Sequence, residues 1–122
     1  MSDIAQTPYP PYYAVIFTSL RAAGDNGYGE MAERMASLAQ HQPGFLGMES
    51  VREGLGITVS YWRDLESIRK WKANLEHLAA QQKGRETWYE AYKLRICRVD
   101  HDYQFHRDSP PARPQNVIRS QG

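Results

Sequence analysis

The chain has 122 residues, of which 41% are hydrophobic and 24% are charged, close to ordinary globular usage. This length predicts a single domain that buries its own hydrophobic core. Lysine and arginine number 15 against 14 acidic residues, so the formal net charge is +1. This near balance of charge argues against a dedicated nucleic-acid binder, and no apolar run reaches the ~18 residues that a membrane-spanning helix needs.

The two ends of the chain predict how the domain is bounded. Only Pro43 of the 7 prolines interrupts the middle of the chain, and the others lie near the termini. We therefore expect an extended lead over residues 1–11, one folded domain over 12–105 and a loose polar tail over 106–122. The lead has neither a basic start nor an apolar core, so we do not expect a secretory signal.

The cysteine and the histidines match no standard reactive or metal-binding motif. Cys97 is the single cysteine, which excludes a disulfide within the chain and favours a cytoplasmic location. Because Cys97 lies in the last predicted strand without an evident histidine partner, we expect a packed and unreactive thiol. His101, Asp102 and His106 lie together near the C-terminus, where a solvated segment is the expected outcome and no metal site is predicted.

The first half of the domain predicts a strand, a helix and a hairpin. Aromatic and β-branched residues favour a first strand over Tyr12–Leu20, and helical spacing of apolar residues favours a first helix over Gly29–Gln40. A second strand over Phe45–Arg52 and a third over Ile57–Trp62 follow. The short glycine-containing connection at 54–56 predicts that these two strands form a hairpin.

The second half predicts one more helix and one more strand. Asp64 is a suitable N-cap for the second helix, and Lys83-Gly84 ends or bends that helix. A short helical turn over Glu86–Glu90 and a last strand over Tyr92–Val99 complete the domain. The order β-α-β-β-α-β predicts an α+β, ferredoxin-like split arrangement.

Several segments in combination resemble the antibiotic biosynthesis monooxygenase family of dimeric α+β barrels. They include the aromatic first strand, the run from Gln42 to Gly47 that opens the second strand, and the run from Ile57 to Ile68 that joins the third strand to the second helix. Residues 71–77 and 88–92 complete a likeness that covers roughly 12–105. The resemblance implies a homodimer whose two sheets pack face to face, with a pocket in each subunit between the sheet and the helices.

The elements themselves agree with a dimer. A four-stranded sheet with two helices on one face leaves its other face bare, and the first strand is apolar at nearly every position. That face therefore needs a cover, which a second copy of the chain would provide.

The resemblance implies more than one function, because the family is functionally mixed. Some members oxygenate polyketide-type phenols to quinones without metal or flavin, some bind and degrade haem, and many have no known substrate. The leading hypothesis is a monooxygenase-like enzyme that acts on a small aromatic or polycyclic compound without a cofactor. The alternatives are a haem-binding or haem-degrading monooxygenase and a non-enzymatic dimer that binds a small ligand.

The second helix supplies the candidate catalytic residues. At about 100° per residue, Trp71 lies at the edge of the apolar stripe, with Asn74 on the adjoining polar stripe and His77 turned further toward water. Cofactorless oxygenation needs a dry pocket, removal of a phenol proton and polar groups that stabilise the resulting anion. We take these three residues as the catalytic candidates. The competing interpretation, a core tryptophan beside a solvated helix face, is the more frequent meaning of such a stripe.

Aromatic residues supply the candidate substrate contacts, because aromatic walls suit a flat ligand. The candidates for substrate binding are Trp62, Gln81, Trp88 and Tyr92. Packing in the core or in a dimer interface is the alternative role for most of the aromatic residues.

The haem interpretation requires an axial ligand, usually a histidine. In haem-degrading relatives, a tryptophan on the second helix is followed ten positions on by that histidine. Trp71 matches the tryptophan, but Gln81 occupies the histidine position and His77 is offset by about one helical turn. The pocket asparagine of those relatives is also absent from the first strand, whose end reads Phe17-Thr18-Ser19. We therefore expect no cofactor and weak or no stoichiometric haem binding.

Overall fold

The computed structural model describes residues 3–25, 27–82 and 88–107, and for 77–82 it describes the backbone alone. The elements in chain order are β1 (Tyr12–Arg21), α1 (Tyr28–Gln40), β2 (Phe45–Arg52), β3 (Gly56–Trp62), α2 (Leu65–Gln82) and β4 (Tyr89–Val99). The four strands form one antiparallel sheet in the order β2-β3-β1-β4. This confirms the predicted α+β, ferredoxin-like arrangement.

The last strand begins earlier than the sequence pattern predicts. β1 continues to Arg21, which pairs with Tyr89 beyond a register shift, so Tyr89 and Glu90 belong to β4 rather than to a separate helical turn. Trp88 is helical, as that predicted turn requires, whereas Glu86 and Thr87, like the predicted helix stop at Lys83-Gly84, lie outside the described residues. Pairing with β1 thus overrides the local helical preference of this segment.

Short polar contacts fix where the helices begin. Asp25 accepts the backbone N–H groups of Gly27 and Gly29 at 3.1 and 3.2 Å, ahead of and within the first turn of α1. Asp64 Oδ1 accepts both the backbone N–H of Ser67 at 2.8 Å and its hydroxyl at 2.7 Å, which confirms the predicted cap of α2.

Alternation along the strands separates a helix-facing side of the sheet from an open side. On the helix-facing side, Val15 packs with residues of both helices and of β3. The buried cluster there consists of Val15, Ala39, Trp62, Ile68 and Trp71. A second buried cluster, formed by Met31 and Trp88, lies where α1 meets the start of β4.

The chain covers part of the open side with its own terminal segments. The Tyr12 hydroxyl donates to Asp102 Oδ2 at 2.5 Å, and the Tyr12 side chain is buried. Glu49 accepts the backbone N–H of Ala5 at 2.9 Å and the Tyr61 hydroxyl at 2.7 Å. Burial and this hydrogen bond raise the pKa of Tyr61, which keeps its phenol protonated as a donor. The lead over 3–11 therefore crosses the sheet at a defined place.

The rest of the open side remains exposed. Leu20, Val51 and Leu55 are 42%, 66% and 48% exposed at the end of the sheet away from Tyr12. Cys97 also lies on this side, opposite Ala14, and is exposed. The expectation of a packed thiol is therefore wrong for the single chain, because β4 is an edge strand whose open side has no cover there.

Candidate functional site

The helix-facing side of the sheet is organised in rows that cross β2, β3, β1 and β4. Reading across the strands, three of these rows are Met48–Ser60–Val15–Ile96, Ser50–Thr58–Phe17–Leu94 and Arg52–Gly56–Ser19–Tyr92. We call the end of this face nearest the first row, where the core continues to Trp62 and Trp71, the tryptophan end. We call the opposite end, nearest the last row, the arginine end. The two ends differ in burial and in chemistry.

The tryptophan end is a packed core. Trp62 is 0% exposed, and its ring stacks on Trp71, itself 7% exposed, with a centroid separation of 6.0 Å. Trp62 Nε1 donates to Ser60 Oγ at 2.8 Å, so the one polar group of the indole is satisfied internally. The structure therefore brings these two candidate residues together, but as buried partners of each other.

The remaining candidates are dispersed. Asn74 is exposed, and its amide donates to Gln42 Oε1 at 3.1 Å, which links α2 to the connection before β2. His77 and Gln81 lie on α2 where the side chains are outside the described residues. Trp88 is 4% exposed and packs with Met31 in the second buried cluster.

Tyr92 belongs to an accessible group of aromatic rings at the arginine end. Its ring lies 5.4 Å from that of Phe17 and 5.6 Å from that of Tyr89, and Phe17 and Tyr89 are 5.5 Å apart. Tyr92 is 42% exposed, while Phe17 and Tyr89 are half-buried. This group presents an aromatic wall that a ligand can reach.

Hydroxyl groups line the sheet next to this wall. Ser50 Oγ and Thr58 Oγ1 are hydrogen-bonded at 2.9 Å, in the same row as Phe17. Ser50 is exposed and Thr58 is half-buried, although both lie on the helix-facing side. We call the accessible surface formed by Phe17, Ser50, Thr58, Tyr89 and Tyr92 the helix-side cleft.

A tyrosine pair supports the cleft from behind. Tyr28 on α1 packs edge to face on Tyr89, with ring centroids 5.6 Å apart. Burial, followed by a hydrogen bond with Tyr28, raises the pKa of Tyr89, so its phenol is a neutral group and not a base. The Arg21 guanidinium lies 3.6 Å over the Tyr28 ring, and Arg21 Nε donates to the Trp88 carbonyl at 2.9 Å. These contacts fix the rings of the cleft in place.

Arg52 lies at the edge of the cleft. Its Nη2 donates to Ser19 Oγ at 2.5 Å, and its guanidinium passes over Gly56, where an added Cβ would overlap the guanidinium. Ser19 is 2% exposed, whereas Arg52 is exposed. In the part of the chain that the structure describes, no ion pair includes Arg52.

Sequence reasoning missed Phe17, Ser19, Tyr28 and Arg52. It considered the end of the first strand only for the missing asparagine. The sequence does contain one relevant signal, the short hairpin connection at 54–56. Counting outward from that connection pairs Arg52 with Gly56. The contact with Ser19 depends on the strand order, which the local pattern does not contain.

A cavity of about 300 Å³ is lined chiefly by residues from the open side of the sheet, and its lining also includes Ser19 and Tyr92. Its lining residues include Leu20, Leu55, Ala91, Lys93 and Arg95. Within the described ranges no cluster of three or more histidine, cysteine or acidic residues is placed to hold a metal ion. Neither helix, over its described residues, is long and apolar enough to cross a membrane.

Comparison with known sequences identifies relatives over most of the chain. The model of the antibiotic biosynthesis monooxygenase family matches residues 11–83. The uncharacterized protein YqjZ of Bacillus subtilis is 54% identical over 111 residues, which cover 89% of this chain and 97% of YqjZ. Jasmonate monooxygenase ABM of Pyricularia oryzae is 40% identical over 48 residues, which cover 39% of this chain and 22% of that protein.

Comparison with solved structures identifies the same fold. SnoaB, a cofactor-independent oxygenase from Streptomyces nogalater, has a TM-score of 0.59 at 13% identity, with 82% of this chain and 100% of SnoaB covered. A mutant of MhuD from Mycobacterium tuberculosis, with two manganese protoporphyrin IX molecules bound per active site, has a TM-score of 0.56 at 24% identity. That likeness covers 76% of this chain and 99% of MhuD.

Proposed function

The chain belongs to the antibiotic biosynthesis monooxygenase family, and we propose that it oxygenates a small aromatic or polycyclic compound without metal or flavin. The observation that carries the proposal is the helix-side cleft, an accessible aromatic wall beside a hydroxyl pair on the face of the sheet that packs against the helices. The fold shared with the cofactor-independent oxygenase SnoaB and the partial match to a monooxygenase support the enzyme class.

The proposed reaction uses the electrons of the substrate itself. An anthrone loses a proton, the resulting anion reduces O₂, and the products are the anthraquinone and one water molecule. The protein must orient the ring, exclude water and stabilise the anion. The reaction needs no external reductant. One atom of O₂ becomes the new carbonyl oxygen, and the other leaves as water with the two hydrogens of the oxidised carbon.

In this proposal the cleft orients the ring and stabilises the anion, and a residue of α2 removes the proton. Tyr92 and Phe17 stack on the flat ring, and the Ser50–Thr58 pair has one hydroxyl proton left to donate to the substrate oxygen. Tyr89 does not remove the proton, because burial and the hydrogen bond with Tyr28 keep it neutral. We assign proton removal to His77, which follows Asn74 by about one turn of α2.

The other candidate residues shape the pocket in this proposal. Trp71 and Trp62 support the sheet face from the core, and Trp88 supports Tyr89 from the second buried cluster. Asn74 holds α2 against the connection before β2, and we expect Gln81 to line the substrate on the same polar stripe as Asn74.

Oxygen consumption tests the proposed function. With an anthrone as substrate, the wild-type chain should accelerate both O₂ uptake and the appearance of quinone absorbance, in a ratio of one to one. Tyr92→Ala and His77→Ala should each reduce the rate at least tenfold. Arg98→Gln is the control, because Arg98 lies three rows from Tyr92 and forms an ion pair with Asp100 at 2.7 Å. Equal rates with and without the protein would overturn the proposal.

The haem alternative has a direct spectroscopic test. MhuD shares the fold. The family resemblance implies an axial histidine ten positions after the tryptophan of the second helix, and this chain has Gln81 there. We therefore expect titration with haemin to give no sharp Soret band at one haem per chain. A stoichiometric band that disappears in His77→Ala would replace the cofactor-free proposal with the haem one.

The proposed assembly is a cytoplasmic homodimer formed through the open side of the sheet. Leu20, Val51 and Leu55 leave an apolar surface there that the lead over 3–11 does not cover. Light scattering at micromolar concentration should give twice the chain mass of 14.0 kDa, and a folded monomer would contradict the assembly.

A further inference from the structure

We propose that the helix-side cleft selects aromatic ligands that carry a carboxylate, with the Arg52 guanidinium as the anchor for that group. This inference rests on the proposed function in one respect, because it takes the cleft as the place where the substrate binds. It adds a substrate class and a specificity-determining residue that lies outside the helices.

The register places the Arg52 guanidinium beside the aromatic wall. Arg52, Ser19 and Tyr92 occupy one row that crosses all four strands. Neighbouring strands lie ~4.8 Å apart, so the Arg52 and Tyr92 backbones are separated by roughly 14 Å. The Arg52 side chain crosses the next strand and reaches Ser19 on β1. Its charged group therefore lies about one strand spacing from the strand that carries Tyr92.

Two features hold the guanidinium there. Ser19 Oγ accepts from Nη2 at 2.5 Å and is buried, so it fixes one end of the planar group. Gly56 leaves the space beneath it, since a Cβ at this position would overlap Cζ and Nη2 of Arg52. The result is a charged group with a defined orientation before any ligand arrives, which lowers the entropic cost of binding.

The donors that remain match a carboxylate. A guanidinium has five N–H donors, and the described contacts of Arg52 use one of them, for Ser19. None of the described ion pairs gives Arg52 an acidic partner, and its side chain is exposed. The planar fork binds both oxygens of a carboxylate at once, which a lysine cannot reproduce.

The second arginine near the cleft, Arg21, already uses its guanidinium for contacts within the chain. Arg21 donates to the carbonyl groups of Trp88 and Gly24, at 2.9 and 3.1 Å, and covers the ring of Tyr28. These contacts hold the turn before α1 and the start of β4. Arg21 is therefore a structural residue, whereas Arg52 has one tether and an open side.

The spacing of polar groups sets the size of the ligand. The Ser50–Thr58 pair lies one row from Arg52, two residues along each strand or roughly 7 Å. A ligand with a carboxylate on one ring and a hydroxyl on the next spans that distance, while its rings lie against Tyr92 and Phe17. A two-ring hydroxy acid such as 6-hydroxy-2-naphthoate therefore fits both contacts.

Calorimetric titration of the full-length protein with two probes tests the inference. The probes are 6-hydroxy-2-naphthoate and the neutral 6-hydroxy-2-naphthamide, which share the rings and the hydroxyl. Wild type should bind the acid at least tenfold more tightly than the amide. Arg52→Gln should abolish this preference, because it should weaken binding of the acid far more than binding of the amide, and Arg52→Lys should restore only part of it.

Two further variants separate position from charge. Gly56→Ala keeps Arg52 but displaces its guanidinium, so it should also reduce the preference for the acid. Arg98→Gln removes the same charge from the same side of the sheet, at the tryptophan end, and should leave the preference intact. Circular dichroism should show the Arg52 and Arg98 variants folded, since both side chains are exposed, and it checks that Gly56→Ala folds at its buried position.

The outcomes distinguish this inference from the proposed function. Equal binding of acid and amide by wild type, or an unchanged preference in Arg52→Gln, would overturn the carboxylate anchor. If the anthrone is still oxidised in that case, the oxygenase proposal stands without the anchor. If Arg52-dependent binding of the acid is found but no anthrone is oxidised, the anchor stands and the oxygenase proposal fails.

Discussion

The two ends of the helix-facing side of the sheet use aromatic residues for opposite purposes. At the tryptophan end, Trp62 and Trp71 stack with both rings buried, and the indole N–H of Trp62 finds its partner two residues away in Ser60. At the arginine end, Tyr92 and Phe17 also contact each other, but their rings remain accessible beside Arg52. Aromatic content alone therefore identifies neither the core nor the site, whereas the burial of each ring separates the two.

The comparison makes its largest prediction at the tryptophan end. Trp62→Ala should destabilise the folded chain by about 3–5 kcal/mol, because it removes a fully buried ring and leaves Ser60 without its donor. Urea unfolding measures the change. Trp62→Phe is the companion variant, which keeps most of the packing and should cost less. A loss below about 1 kcal/mol for Trp62→Ala would show that this end is not the structural core.

The arginine end should respond in the opposite way. Tyr92→Ala removes a ring that is 42% exposed, so unfolding should show a loss of only about 1 kcal/mol. The same variant should lose at least tenfold in anthrone turnover, because the stacking surface is gone. If Tyr92→Ala is as destabilising as Trp62→Ala and turnover by the remaining folded protein is normal, the distinction between a structural tryptophan end and a functional arginine end is wrong.

A smaller effect is expected behind the cleft. Tyr28→Phe removes the hydrogen bond to Tyr89 but keeps the ring under the Arg21 guanidinium. Because burial, the larger cause of the raised pKa of Tyr89, is retained, that pKa should fall but stay above its ordinary value. Ultraviolet difference spectra during alkaline titration measure this change. Turnover at neutral pH should be nearly unchanged, and a large loss would assign Tyr28 a part in the reaction.

The sequence pattern predicts the elements well where the cause is local. The second strand runs from Phe45 to Arg52 as expected, and Asp64 caps α2 as expected. The start of β4 is different, because Tyr89 enters the sheet through its pairing with Arg21, which is 68 positions earlier by number. Local propensity does not contain that contact, so it assigned this segment to a helical turn.

The candidate site was less predictable for the same physical reason. Helical periodicity placed Trp71 and Asn74 on one edge of α2, but it does not show that Trp71 meets Trp62 as a buried stack. The contact between Arg52 and Ser19 spans 33 positions and requires three strands in the correct order and register. An accessible cleft is a property of that assembled surface. Residue types along a single element suggest which residues belong to the cleft, but they do not show which of those residues remain exposed.

The smallest predicted effect concerns pH and the helix that carries Trp71. Hydrogen bonds from the side chain and backbone of Ser67 lower the pKa of Asp64 below its ordinary value of 3.8. Because the pKa of Asp64 is lower in the folded than in the unfolded chain, the charged cap contributes its full stabilisation above the unfolded-state pKa. This contribution is lost as the pH falls through the folded-state pKa. The Tm of wild type should therefore exceed that of Asp64→Asn by a constant margin near neutral pH, and the margin should shrink as the pH falls below the ordinary value of 3.8 and through the folded-state pKa. Asparagine still accepts the hydrogen bonds of an N-cap, so the variant isolates the charge from the cap geometry. Ser67→Ala removes the side-chain donor, which has the larger influence on this pKa, and should weaken the dependence on pH without abolishing it. Parallel Tm curves for wild type and Asp64→Asn over this range would show that the Asp64 charge does not stabilise α2, and that the tryptophan end is held by packing alone.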